Sequence, residues 1–332
     1  MTKNNYFSFA NTHAGCVSYS EHIFNPRSFD KIYVVKGVFA QEFISEVAKK
    51  ISNAVTECFI NPINPQKTDG IIIDKTAVID SFLANFNDSH FPALIINLGE
   101  FCNESLLAQH KEQIFKISEE QQEIYRSTQK FLKAANELSE YLLDLSAKYL
   151  DEKKLIFAID RILAKYNKIN NDETEFRFIN SSFGNKLDTV ENKASKIFYI
   201  SDEYFSGFHF LRCLSEKKLG STVICPDALN TERIRAIYRK EDNILFEMQS
   251  KPNPTDEKYN YINMERFIHA DFKKDHKQKL KFVKKIYDSL IKEIADCFAE
   301  LKNTSSELKK IYAPAVGNIA QQKFTADFIK KL

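Results

Sequence analysis

Glycine is scarce in this 332-residue chain: eight residues, at positions 15, 37, 70, 99, 184, 207, 220 and 317. No two stand five apart and none precedes a lysine, so the G-x-x-x-x-G-K-[ST] loop that closes backbone N–H groups around phosphate is absent. Charge of one sign is lacking too. A formal net charge of +2 gives no global field for nucleic acid, anionic membrane or acidic substrate. The six cysteines (16, 58, 102, 213, 225 and 297) include no C-x-x-C pair and no close cysteine–histidine cluster, so neither a structural zinc site nor a disulfide framework is indicated. No segment approaches the roughly 18 apolar residues that span a bilayer, and the N-terminus lacks the apolar core of a signal peptide, so the expectation is a cytoplasmic protein without a membrane partner. No G-x-S-x-G elbow appears, and no cysteine carries a nucleophile's local signature.

A hydrophobic share of 43% with 28% charged residues suffices for a substantial core, and the length suits one large or two medium domains. From Lys31 to Phe101, β-rich runs ("IYVV", "ECFI", "AVID", "ALIINLG") alternate with the helical "FISEVAKKISNAV" and the turn "NPINPQKTDG". That order argues for a largely parallel sheet with crossover helices. Residues 104–166 then read as a helical arm, with apolar residues at Phe131, Leu132, Leu138, Leu142, Leu145 and Tyr149. The order returns in the second half. "FRFINSSFGNKLDTV" echoes "YFSFANTHAGCVSY", "SKIFYIS" echoes "DKIYVVK", and a second helical block covers about 264–311. The reading is a tandem repeat, 1–170 and 171–332, with its boundary in the polar stretch Lys165 to Glu175.

The stretch "KIYVVKGVFAQEFISEVAKKI" has the strand, glycine and helix of a phosphate loop without its glycines and lysine. Together with "TDGIII" (68–73) and "LIINLGEF" (94–101), it resembles a bacterial family of uncharacterised predicted ATPases that carry two tandem P-loop modules, each with a helical insertion. The resemblance covers roughly Tyr6 to Leu155 by motif and the second half mainly by order and length. It implies an α/β fold of two P-loop-NTPase-like modules, mostly parallel sheets with flanking helices, each bearing a long helical arm. Aligned from Lys36-Gly37, Phe43 stands where the phosphate lysine belongs and Ile44 where the magnesium-binding hydroxyl belongs. Shifted by one residue they stand at the second glycine and the lysine, and neither register restores a lysine; in the second repeat Phe208 and His209 follow Gly207 instead of Lys and Ser. Phenylalanine cannot neutralise a triphosphate and is better satisfied by packing.

The resemblance implies a vestigial first site of Lys36, Gly37, Ser45 and Asp80, and a vestigial second site of Gly207, His209 and Glu247, with Glu247 the counterpart of the magnesium-associated acid Asp80. It also carries over Asp69 and Asp74, while the family's "DGTAPH" has become "DSFLANF". No catalytic residue and no metal ligand is assigned. His269 and His276 lie two helical turns apart with no third ligand at helical spacing. The charge run "KKDHKQKLKFVKK", 273–285, offers a stripe to a polyanion, but acids dilute it and no aromatic ladder accompanies it, so nucleic acid is disfavoured. The expectation is a pseudo-ATPase without a cofactor, serving as a scaffold, regulatory or assembly protein, as a homo-oligomer or with an intact P-loop paralogue. The alternative is a protein that binds nucleotide or another phosphate ligand, ATP or GTP with magnesium, with or without ATPase chemistry, through a non-standard site.

Overall fold

The computed structural model describes residues 4–84, 93–166, 173–201, 204–249 and 259–332. In chain order the first half contains β1 (Asn4–Phe7), β2 (Ala10–Thr12), β3 (Gly15–Val17), α1 (Ser20–Ile23), β4 (Lys31–Lys36), α2 (Ala40–Lys50), β5 (Glu57–Ile60), β6 (Thr68–Ile73), β7 (Thr76–Asp80), β8 (Leu94–Asn97), α3 (Glu104–Gln109), α4 (Lys111–Ala147) and α5 (Glu152–Leu163). The second half contains β9 (Thr174–Phe176), α6 (Thr189–Lys193), β10 (Lys196–Ser201), α7 (Gly207–Ser215), β11 (Thr222–Pro226), β12 (Ile234–Arg239), β13 (Ile244–Gln249), β14 (Tyr259–Asn263), α8 (Asp271–Tyr312) and α9 (Asn318–Ile329).

The apolar spacing of α2 explains its place: Ala40, Phe43, Ile44, Val47 and Ala48 recur at three- and four-residue steps and are all buried. Neither α4 nor α8 contains glycine or proline, which lets them run to 37 and 42 residues. Pro314 closes the ladder after α8.

Two six-stranded sheets result, in the orders β1-β5-β6-β7-β4-β8 and β9-β11-β12-β13-β10-β14. Position by position they share one topology. The outer pairs β1/β5 and β9/β11 are parallel, as are β4/β7, β4/β8, β10/β13 and β10/β14. The pairs β5/β6, β6/β7, β11/β12 and β12/β13 are antiparallel. Each sheet even has a register irregularity at the same stage, after Phe59 and after Cys225. Order, direction and irregularity thus coincide in the two sheets, but the sheets are mixed and not mostly parallel. The difference lies in "TDGIII", read as the end of a turn. Thr68, Asp69 and Gly70 lie inside β6, and a Cβ on Gly70 would stand 3.2 Å from Phe24 Cζ and 3.3 Å from Ile79 Cγ2. The glycine therefore serves a close approach within a sheet.

The chain forms two compact units, and they divide it differently from the consecutive spans 1–170 and 171–332. One unit comprises Met1–Ala10, Cys16–Thr128 and Ala295–Leu332; the other comprises Asn11–Gly15 and Gln129–Ile294. The helix that ends each repeat is thus exchanged. In the first unit α9 packs on α2, and Val316 bridges Cys102 with Gly317 N–H donating to the Phe101 carbonyl at 2.8 Å. In the second unit α5 packs on α7, and Leu150 bridges Ile268 with Asp151 N–H donating to the Phe267 carbonyl at 2.7 Å. The core of the first unit gathers Val35, Phe43, Ile44, Val47 and Val78 with Phe328 of α9; that of the second gathers Ile200, Phe208, Phe210 and Phe246 with Leu155 and Ile159 of α5. Of the polar stretch Lys165 to Glu175, residues 167–172 lie outside the described residues, as does the end of "DSFLANF".

Candidate functional site

In the first unit, Gly37, Val38 and Phe39 are all that separate β4 from α2. Gly37 has φ +122, and a Cβ there would come within 3.1 Å of Leu98 Cβ, so glycine is required both by the turn and by the segment packed on it. Three residues are too few to wrap several N–H groups about an anion as a phosphate loop does. Phe43, at the lysine position, is 1% exposed, with its ring 5.5 Å from that of Phe328 and 6.1 Å from that of Phe324. Ile44 is wholly buried. Both side chains belong to the core.

The first turn of α2 carries its own anion. Glu42 Oε1 is 3.0 Å from Lys67 Nζ and 2.7 Å from Lys309 Nζ. Burial pulls the Glu42 carboxyl up, but the two ammonium groups outweigh it and hold the group below its usual range. A carboxylate in the first helical turn also meets the positive end of the helix dipole. Asp80 ends β7 opposite Val35 of β4. Its side chain accepts from Phe82 N–H at 3.2 Å, capping the short 3-10 turn Ser81–Leu83. Burial pushes the Asp80 carboxyl up, with Lys309 opposing and Glu42 adding to it.

Beneath that turn Asp69 is completely buried. Gln41 Nε2 donates to its Oδ1 at 2.9 Å, Asn61 Nδ2 to the same oxygen at 3.2 Å, and Oδ2 lies 2.5 Å from Ser8 Oγ. Burial pushes its carboxyl up to about 7, against these hydrogen bonds and with Asp80 adding to the rise. Ser8 has one hydroxyl hydrogen and a second acceptor, the Ile60 carbonyl at 3.2 Å. Ionised Asp69 accepts from Ser8; protonated Asp69 can donate to Ser8 and leave the Ser8 hydrogen for the Ile60 carbonyl.

The other residues assigned to this site have structural work. Ser45 Oγ donates to the Gln41 carbonyl at 2.6 Å and accepts from Thr68 N–H at 2.9 Å, tying α2 to β6. Asp74, with φ 49, makes the β6–β7 turn, at the end of β7 opposite Asp80. Lys36 is exposed at the end of β4.

In the second unit the vestigial residues are dispersed. A Cβ on Gly207 would lie 3.1 Å from Ile200 Cγ2 and 3.2 Å from Met248 Cγ, so this glycine allows α7 to seat on the sheet. Phe208 is 4% exposed, with the Arg233 guanidinium 4.7 Å from its ring centre. His209 Nε2 lies 3.2 Å from the Leu143 carbonyl and 3.3 Å from Ser146 Oγ; burial pushes its pKa down. Glu247 is not the counterpart of Asp80. Val35 pairs with Asp80, whereas Ile200, at the matching register, pairs with Met248. One residue earlier in a strand means the opposite face. There Glu247 is buried beside Lys186, whose Nζ lies 3.0 Å from it and 2.7 Å from Glu191; burial pushes the Glu247 carboxyl up against the pull of Lys186.

Among the described residues no group of three or more His, Cys, Asp or Glu side chains is placed to hold a metal ion. No helix there is long and apolar enough to cross a membrane. No family model, curated protein or solved structure matches the chain.

Proposed function

We propose that the chain is a non-hydrolysing relative of tandem P-loop ATPases that acts as a scaffold, regulatory or assembly protein. One observation carries this reading: the first turn of α2, which would face a phosphate, is closed from within, by Phe43 in the core and by Glu42 held between Lys67 and Lys309. The strand that precedes this helix has parallel neighbours on both sides, and its neighbour β7 ends in an acid, an arrangement that suits descent from a phosphate-binding module. The connection of three residues suits loss of that binding.

The competing reading is a phosphate-bearing ligand held by Lys36, the N-terminus of α2 and Asp80. It has one observation in its favour, the two cations Lys67 and Lys309 at the same turn, but both already neutralise Glu42. An ATPase titration of the pure chain, alone and with an intact paralogue that retains its loop lysines, separates the readings. The scaffold reading expects no turnover by the chain alone and an altered rate for the paralogue. Substantial turnover by the isolated chain overturns it.

A further inference from the structure

Lys277, Lys281, Lys285 and Lys292 share one side of α8, turned away from the apolar positions Phe272, Leu280, Val283 and Ile294 that are buried in the second unit. Lys277, Lys281, Lys285 and Lys292 are exposed, and no carboxylate stands within ion-pair distance of any of them among the described residues. With a helical rise of 1.5 Å per residue they form a ridge roughly 22 Å long. They wall a shallow depression with Tyr204, which comes from the segment before α7. Lys284 in the same depression is paired with Asp288 at 3.2 Å.

The run has no aromatic ladder, but it holds one ring of its own, and the fold brings a second beside it. Tyr204 reaches the depression from elsewhere in the chain, and Phe282, flanked by Lys281 and Lys285, is left 64% exposed on a helix whose other apolar positions here are inward. An uncovered ring beside unpaired ammonium groups suits a polymer carrying both backbone phosphates and stackable rings. A lipid surface fits less well, because α8 spends its apolar face on the core and keeps a single ring to insert. We propose that this face of α8 binds single-stranded nucleic acid, with Lys277, Lys281, Lys285 and Lys292 on phosphates and Phe282 against a base. The surface is independent of the closed junction at α2.

The test is fluorescence polarisation of a labelled 20-nucleotide oligo(dT) against the full chain in 50 and 200 mM salt, with phosphatidylserine vesicles as a parallel arm. Four phosphate contacts predict a log–log salt slope of about −2.8 and roughly 50-fold weaker binding at the higher salt. The K281E/K285E variant, altered only at exposed positions, keeps its unfolding midpoint, binds at least tenfold more weakly and has a shallower slope. F282A loses several-fold in affinity with the slope unchanged. The proposal is overturned by no binding at 50 mM salt, by K281E/K285E binding as tightly as the parent, by F282A equal to the parent, or by vesicles binding where the oligonucleotide does not.

Discussion

Lys309 Nζ, on the last turn of the 42-residue α8, sits 2.7 Å from Oε1 of Glu42, 267 positions earlier in the chain. With Lys67 on the same oxygen, this contact gives the first turn of α2 an internal anion, and the expectations below turn on that closure.

Glu42→Gln leaves two ammonium groups facing a neutral amide in a half-buried setting and costs about 1–2 kcal/mol by chemical denaturation. Because the Glu42 carboxyl is held below its usual range, its contribution is present at neutral pH and fades as the solution is acidified through the folded-state value. The variant's deficit shrinks in acid. A deficit that grows in acid contradicts the assignment.

Asp69 works in the opposite sense. Its carboxyl is raised from an ordinary 3.8 to about 7, so the native state holds a proton that the unfolded chain releases, and stability falls as pH rises from about 4 to about 7. Complete burial puts the ceiling of that loss at roughly 4 kcal/mol. Asp69→Asn offers an N–H to Ser8 and keeps an acceptor for Gln41 and Asn61, so the variant folds and its stability is flatter across this range. A D69N profile parallel to the parent's places the proton elsewhere.

Phe43→Ala opens a cavity among Phe324, Phe328 and the α2 core, at a cost of about 3–4 kcal/mol. Phe43→Lys restores the missing charge on paper, yet that position is 1% exposed, so it destabilises and gains no nucleotide affinity. Equilibrium denaturation and ATP titration read the two halves of this expectation.

Ser45→Ala removes the acceptor for Thr68 N–H and costs about 1–2 kcal/mol. If Ser45 instead served a magnesium-bound ligand, the variant would change a ligand-dependent property and leave the melting midpoint alone.

Much of the local structure was legible in the sequence. The runs Lys31–Lys36, Glu57–Ile60, Thr76–Asp80 and Leu94–Asn97 announce themselves by β-branched and aromatic content, and the echo of "DKIYVVK" in "SKIFYIS" marks equivalent strands of two sheets with one topology. β6 was hidden because Asp69-Gly70 has the composition of a turn, and only a close approach by Phe24 and Ile79 explains the glycine. The exchange of α5 and α9 was not legible. An amphipathic helix after a long arm shows which face it buries but not which sheet receives it, and the deciding contacts, Cys102 with Val316 and Leu150 with Ile268, are distant in sequence. Glu247 misled for a related reason: an acid near the end of an apolar strand has a face only once the register is known.

The most direct measurement is thermal unfolding of the pure chain with millimolar ATP, ADP or GTP plus magnesium, against magnesium alone. A ligand at about 100 times its dissociation constant stabilises a native state by roughly 2.7 kcal/mol, easily seen as a shifted midpoint. The closed junction predicts superimposable curves for all three nucleotides. A clear upward shift that Asp80→Asn abolishes contradicts it, and would mean that Lys67 and Lys309 release Glu42 to hold phosphate.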